Sequence, residues 1–169
     1  LGEADWIVEV VVENLKVKQE LMTRLEAVRK EGAIVTSNTS GLPIHQIAEG
    51  RGKEFQGHFL GTHFFNPPRY LKLLEIIPTQ DTAKEVVEFF SWFGEYRLGK
   101  GTELCKDRPN FIGNRVAFGT GAFAMDYILK NGYTVDEVDA ITGPLIGRPK
   151  TATFRLMDLV GLDVWDHVG

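Results

Sequence analysis

The stretch Gly61–Ile77, GTHFFNPPRYLKLLEII, places two short apolar runs on either side of a loop that contains Asn-Pro-Pro. Runs of this length, separated by turn residues, predict two β-strands joined by a short connection. His63 ends the first run, and Glu75 lies inside the second. Because an unpaired carboxylate is costly to bury, Glu75 needs a partner, and a hairpin-like turn between the strands would bring it to His63.

A paired His63 and Glu75 can be interpreted in two ways. A carboxylate on one ring nitrogen fixes the tautomer, stabilises the imidazolium and leaves the other nitrogen free to exchange a proton, as a general base requires. Alternatively, the pair is a structural contact that only holds two strands together. The residues alone leave both interpretations open.

Strand-type and helix-type segments alternate on both sides of this stretch. Strands are predicted over 5–12, 33–37, 58–65, 71–77 and 101–105, with helices from 14 to Gly32, over 43–50 and over 82–96. The run DWIVEVVV at 5–12 is nearly all apolar, which is typical of a strand covered on both faces. The alternation predicts part of an open α/β sheet.

From Arg108 onward the sequence predicts only helices. The predicted helices cover 108–132 and 151–168. Between them, a further segment begins with a capping box at Thr134 and Glu137. The change in character at Lys106–Pro109 predicts two domains, 1–107 with the sheet and 108–169 all helical and truncated. In open sheets ligands bind beyond the carboxyl ends of strands, where TSNTSG at 36–41 lies. The alternative role of these residues is to cap the next helix, and at least one of them is expected to do so.

Composition and charge exclude several classes of protein. The chain is 43% hydrophobic and 25% charged with a net charge of −4, so it has no electrostatic basis for binding nucleic acid. No run approaches the roughly 18 apolar residues of a membrane span. Cys105 is the single cysteine, which excludes an internal disulfide and fits a reducing, cytoplasmic setting, and no paired Cys/His spacing predicts a metal site.

Four stretches, taken in order, resemble one family. They are EVVVENLKVKQEL (9–21), SNTSGLPIHQIA (37–48), GTHFFNPPRYLKLLEII (61–77) and KDRPNFIGNRV (106–116). Together they resemble the L-3-hydroxyacyl-CoA dehydrogenases of fatty-acid β-oxidation. The resemblance implies a Rossmann-type domain and a helical dimerisation domain. It also implies NAD-dependent oxidation of an acyl-CoA substrate by a homodimer.

The resemblance also implies a role for particular residues. It identifies His63 as the catalytic base, Glu75 as the residue that orients it, and Ser40 and Asn114 as hydrogen-bond donors to the reacting 3-oxygen. The matched positions near the cofactor are Glu13, Lys18, Asn38 and Asn66. From the residues alone, Glu13 and Lys18 would be solvated surface, and Asn114 would make a local hydrogen bond at a helix start.

The sequence also departs from the family pattern. It has no Gly-x-Gly-x-x-Gly loop after a first strand, and Asn110 stands where the family usually has Gly. GRPKTATFRLMDLVGLD is more similar to the long multifunctional members. We therefore expect the second half of a nucleotide domain and the start of a helical one, inactive and a poor NAD binder by itself. Two alternatives remain: a non-catalytic assembly module, and a dehydrogenase of a hydroxy acid without CoA.

Overall fold

The computed structural model describes residues 1–161 and divides the chain into two compact units, Leu1–Ile112 and a second that begins at Gly113. The first unit is an α/β fold around a five-stranded sheet in the order β1-β2-β3-β4-β5. The strands are β1 (Trp6–Glu9), β2 (Ile34–Ser37), β3 (Phe59–Phe64), β4 (Leu73–Pro78) and β5 (Gly101–Leu104). Strands β1, β2 and β3 are parallel, β4 is antiparallel to β3, and β5 is parallel to β4.

Helices connect the strands of this unit. They are α1 (Leu15–Val28), α2 (Ile44–Ile47), α3 (Lys53–Gly57) and α4 (Lys84–Tyr96). Alternation along the strands sends side chains into two cores: Phe59 and Ile77 pack in the core with α1, α2 and α3, whereas Leu60 and Ile76 pack in the core with α4. The predicted order of strands and long helices is confirmed. The five-residue α3 was missed because it is too short to show a helical period.

The first strand is shorter than the sequence predicts. β1 ends at Glu9, because the Glu9 carboxylate accepts a hydrogen bond from the Val11 N–H at 2.6 Å and turns the chain. Val8 in β1, and Val10 and Val12 beyond it, are exposed among residues 1–161, although the sequence predicts a strand covered on both faces.

Helix α1 begins where the Asn14 side chain accepts a hydrogen bond from the Val17 N–H at 3.1 Å. It ends at Val28, before the predicted stop at Gly32, because Arg29 is already extended. Gly32 instead has a φ of 77° in the turn that leads to β2. The stripe that faces the core contains Lys18, Met22 and Leu25.

The second unit is helical, with α5 (Gly113–Asn131), α6 (Val135–Thr142), a 3-10 turn (Pro144–Ile146) and α7 (Phe154–Val160). Helix α5 does not begin at Arg108 as predicted, because Asn110 and Phe111 have φ values of 62° and 40°, which a right-handed helix excludes. The capping box of Thr134 and Glu137 is confirmed at the start of α6.

Helix α7 ends within the described residues. Gly161 has a φ of 98°, and the predicted continuation of this helix over 162–168 lies outside the part of the chain that the structure describes. Across residues 1–161, no helix combines the length and the apolar character needed to cross a bilayer.

Candidate active site

The carboxyl ends of the parallel strands bring several polar side chains to one edge of the sheet. Glu13 lies in the loop after β1, Ser40 lies in the loop after β2, and His63 lies near the end of β3. The antiparallel register between β3 and β4 places Glu75 directly opposite His63. This edge is where open α/β sheets bind their ligands.

The predicted hydrogen bond between His63 and Glu75 is present. The His63 Nδ1 and Glu75 Oε2 atoms are 2.7 Å apart, and both side chains are buried. The other carboxylate oxygen, Oε1, accepts a hydrogen bond from the Ile112 backbone N–H at 2.9 Å. The Glu75 carboxylate is therefore fixed from two sides, and it fixes the imidazole in turn.

The second nitrogen of His63 faces Ser40. The Ser40 Oγ and His63 Nε2 atoms are 3.1 Å apart. If the Nδ1–H donates to Glu75, Nε2 is the acceptor for the serine hydroxyl; this tautomer is assigned from the hydrogen-bond network. Phe65 and Phe111 lie against the imidazole, with ring centroids 4.5 and 5.6 Å from it.

Glu13 binds the backbone of the loop that carries Ser40. Its Oε1 accepts hydrogen bonds from the Ser40 and Gly41 N–H groups, each at 3.0 Å, and from the Thr39 hydroxyl. Burial raises the pKa of the Glu13 carboxyl, but the bonds from Thr39, Gly41 and Ser40 and the charge of Lys18 together lower it below its usual value. Glu13 is therefore held in its ionised form.

The residues alone predicted that Lys18 is solvated surface, and this prediction is wrong. Only 1% of its side chain is exposed. Its ammonium contacts Glu9 Oε1 at 2.8 Å, the Val11 carbonyl at 3.1 Å and Glu13 Oε2 at 3.4 Å. The ammonium thus donates two hydrogen bonds, to Glu9 and to the Val11 carbonyl, and forms a longer ion pair with Glu13.

Glu9 completes this cluster, although it is not among the residues predicted for the site. Its Oε2 accepts a hydrogen bond from the Ser37 hydroxyl at 2.5 Å, while its Oε1 binds Lys18. The available signal was a carboxylate inside the apolar run WIVEVVV, which requires a buried partner in the same way as Glu75.

The other predicted site residues have different surroundings. The Asn38 Oδ1 accepts a hydrogen bond from the Phe64 N–H at 2.9 Å and so ties the loop after β2 to the end of β3. Asn66 is exposed in the loop that follows β3. Asn114 is the second residue of α5 and lies in the second unit.

Residues 36–41 do not cap α2. The N–H groups of Ile44 and His45, at its start, donate to the Asp107 carboxylate at 2.7 and 2.9 Å. Thr39 instead accepts a hydrogen bond from the Leu42 N–H within the loop. The hydroxyls of this loop are therefore directed to Glu9, Glu13 and His63, which contradicts the capping interpretation.

Cys105 lies near Glu75, but its thiol is unreactive. Burial, together with the negative charge and hydrogen bond of Glu75 and the charge of Glu103, raises the pKa of its thiol to about 12. The thiol is protonated at neutral pH, so Cys105 is not a nucleophile.

Two features bear on whether a dinucleotide fits these residues. Asn110 has the left-handed backbone that Gly adopts most easily and Asn tolerates, so its departure from the family pattern is conformationally conservative. The closest pattern to a phosphate-binding fingerprint, Gly119-x-Gly121-x-x-Ala124, lies inside α5 rather than in a strand-to-helix turn.

Comparison with known proteins identifies related sequences and folds. Residues 1–108 match the family model described as 3-hydroxyacyl-CoA dehydrogenase, NAD binding domain, and residues 111–169 match its C-terminal domain. A probable 3-hydroxyacyl-CoA dehydrogenase of Bacillus subtilis is 57% identical over 99% of this chain and 21% of its own length. The human mitochondrial hydroxyacyl-coenzyme A dehydrogenase is 39% identical over 94% of this chain and 49% of its own length.

A solved structure agrees with these relatives. The crystal structure of FadB2 from M. tuberculosis superposes with a TM-score of 0.85 at 32% sequence identity, covering 96% of this chain and 56% of that one. The chain thus spans about half or less of the length of the proteins it matches.

Proposed function

The chain belongs to the 3-hydroxyacyl-CoA dehydrogenase family, and from this membership and the site geometry we propose that the protein oxidises an L-3-hydroxyacyl-CoA to the 3-ketoacyl-CoA with NAD. The observation that carries the proposal is the His63 imidazole, held on one nitrogen by Glu75 and facing the Ser40 hydroxyl with the other. This arrangement suits proton removal from an alcohol, the step that accompanies its oxidation.

His63 is the general base in this proposal. Its Nε2 accepts the proton of the substrate 3-hydroxyl, and the Glu75 carboxylate on Nδ1 stabilises the imidazolium that forms. Phe65 and Phe111 pack against the ring and limit the access of water to it. NAD, when bound, supplies the acceptor for the hydride from C3.

Ser40 and Asn114 are the proposed donors to the reacting oxygen. The Ser40 hydroxyl already lies 3.1 Å from Nε2, so an alcohol oxygen that binds His63 also comes within reach of Ser40. Donors fixed at this position stabilise charge as it develops on oxygen. Asn114, at the start of α5, is proposed for the same role from the family pattern.

The proposed cofactor residues divide into two kinds. Glu13, Asn38 and Asn66 lie in the three loops beyond β1, β2 and β3 and can face the nicotinamide half directly. Lys18 is buried and acts through the Glu13 carboxylate that it contacts. The proposed nucleotide domain covers residues 1–107 and the proposed helical domain covers 108–169, whereas the compact first unit extends to Ile112.

We also include a homodimer in the proposal, formed through the helical region. Helix α5 has no buried residue within the described chain, although it carries Phe123, Tyr127 and Leu129. Exposed apolar surface of this kind usually marks a contact with another chain. Light scattering on the intact protein tests it, and a clean monomer at high micromolar concentration would contradict it.

A paired assay tests the main proposal. The intact protein is given NADH with acetoacetyl-CoA and, separately, with free acetoacetate, and the loss of NADH absorbance is followed. Turnover with the CoA thioester supports the proposal. Turnover with only the free acid would indicate a hydroxy-acid dehydrogenase, and turnover with neither would favour the non-catalytic assembly module.

A further inference from the structure

A continuous set of polar contacts links the buried end of β1 to the catalytic imidazole. Glu9 binds both Lys18 and Ser37, and Lys18 also contacts Glu13. Glu13 then binds the N–H groups of Ser40 and its neighbour Gly41. The set ends at the Ser40 hydroxyl, which faces His63.

The loop after β2 depends on these contacts for its conformation. Residues 38–43 belong to no helix or strand, so no regular backbone ladder fixes Ser40. One oxygen of Glu13 instead receives two consecutive N–H groups, Ser40 and Gly41, each at 3.0 Å. Hydrogen bonds to a carboxylate are stronger than those to a neutral acceptor. This contact therefore fixes the position of the Ser40 backbone, from which the side chain extends.

Lys18 connects the contacts at two points of this loop, its beginning and its middle. Glu9 holds the Ser37 hydroxyl where the loop begins, Glu13 holds the Ser40 backbone near its middle, and the buried Lys18 ammonium lies between both carboxylates. Because Lys18 and Glu9 are buried, their attraction is only weakly screened by solvent. The loop is therefore connected, through the 43% exposed side chain of Glu13, to the buried Lys18–Glu9 pair.

We propose that Glu13, held by Lys18 and Glu9, is a positioning residue that fixes the backbone of Ser40 so that the Ser40 hydroxyl stays at His63 Nε2. Glu13 acts on the reacting oxygen through Ser40 and adds to any contact that it makes with a cofactor. This inference rests on the proposed dehydrogenase function for its catalytic meaning, whereas the anchoring of the loop can be measured without turnover.

Amide hydrogen exchange measures the anchoring directly. Exchange of the peptide spanning Ser37–Leu42 is followed by mass spectrometry in the intact protein, in Glu13→Ala and in the control Glu20→Ala. Glu20 is an exposed carboxylate on α1. We expect the Ser40 and Gly41 amides to exchange about tenfold faster or more in Glu13→Ala, the equivalent of one lost charge-assisted hydrogen bond. Peptides from α4 report whether the fold is intact.

Glu13→Gln separates charge from shape. Its amide oxygen can still accept an N–H but carries no charge, so we expect exchange between that of the parent protein and that of Glu13→Ala. If neither variant changes exchange at Ser40 and Gly41 while both remain folded, the positioning role is wrong whatever the enzyme activity is.

A double-mutant cycle tests whether Glu13 acts through Ser40. We expect Glu13→Ala to lower kcat for acetoacetyl-CoA reduction by about 10- to 100-fold, since small displacements of a reacting group have effects of this size. In the Ser40→Ala background the same substitution should have little further effect on kcat. Losses that multiply in the double variant, together with a higher KM for NADH, would overturn the inference and place Glu13 on the cofactor.

The two proposals fail in different ways. If the intact protein turns over no substrate, the dehydrogenase proposal fails, and the exchange experiment alone decides whether Glu13 anchors the loop. If turnover is present and Glu13→Ala matches Glu20→Ala in both exchange and kcat, the dehydrogenase proposal stands and the positioning role falls.

Discussion

The two compact units of the chain differ in the side chains that they bury. The first unit buries polar groups that are fully engaged, including Glu9, Lys18, His63 and Glu75. Among the described residues of the second unit, the buried polar side chain is Asp139, and α5 has no buried residue at all. The first unit holds its chemistry in place by itself, whereas the second leaves much of its apolar surface uncovered.

This difference agrees with the proposed roles of the two units, in catalysis and in assembly. Buried charges are tolerated only when each has a partner, and such pairs fix side chains in one geometry. The first unit uses that constraint to orient an imidazole. The described part of the second unit has helix caps and little core, and its exposed apolar side chains form the surface of the proposed dimer. The predictions below test each side of this contrast.

The largest effect is expected at His63. Replacing His63 by Gln in the intact protein should lower kcat by on the order of 10²–10⁴, because the general base is lost, with a smaller change in acyl-CoA affinity. Steady-state kinetics with acetoacetyl-CoA measure both. His58→Gln is the control, since His58 is partly exposed and binds the backbone of Glu54 within α3. Near-normal turnover in His63→Gln would remove the base from the mechanism.

A smaller effect concerns the cofactor. Residues 1–169 contain no Gly-x-Gly-x-x-Gly loop, so the polypeptide expressed alone lacks the usual cradle for a pyrophosphate. Since each 1.4 kcal/mol is about tenfold in affinity, losing several kcal/mol of contacts weakens a micromolar site to millimolar or worse. Calorimetry with NAD on this polypeptide measures the result. Micromolar binding would show that the first unit alone provides the full site.

The sequence predicted the alternation of strands and helices in the first unit and the pairing of His63 with Glu75, because both follow from local patterns. An apolar run containing one carboxylate identified Glu75, and the antiparallel register then gave its contact with His63. The Glu9–Lys18–Glu13 cluster was not predicted, because the direction of the Lys18 side chain depends on how α1 packs. The spacing of residues along the sequence does not reveal that packing. The start of α5 was misplaced because Asn110 and Phe111 adopt left-handed backbones that ordinary helix signals do not predict.

Asp139 tests the stability of the second unit. Its carboxylate accepts hydrogen bonds from the N–H groups of Thr153, Phe154 and Arg155, at 2.7 to 3.1 Å, and so caps α7 from the preceding α-helix, α6. Asp139→Ala should destabilise the unit by more than the roughly 1 kcal/mol of an ordinary cap substitution, because three donors lose one acceptor. Chemical denaturation of the polypeptide, compared with the exposed control Asp136→Ala, measures the loss.

The same carboxylate predicts a dependence on pH. Burial raises the pKa of Asp139, but the N–H groups of Phe154, Arg155 and Thr153 and the charge of Arg155 lower it further, below its ordinary value. Its stabilising effect is thus complete above the unfolded pKa of about 4 and is lost as the pH falls through the lower folded pKa. Asp139→Asn should flatten the stability profile in this acidic range, and an unchanged profile would assign the acid sensitivity to other carboxylates.

The smallest effect is expected at the start of α6. The Thr134 hydroxyl oxygen accepts a hydrogen bond from the Glu137 N–H at 3.3 Å, and the Glu137 carboxylate accepts one from the Thr134 N–H at 2.9 Å. Thr134→Ala removes half of this capping box and should lower the free energy of unfolding by about 1 kcal/mol. Thr134→Ser keeps the hydroxyl and is the matched control. Because the cap is exposed and local, hydrogen exchange should increase in α6 while the amides of Ser40 and Gly41 stay protected. Faster exchange at both places would mean that the two units unfold together, and the contrast between them would then describe their surfaces and not their independence.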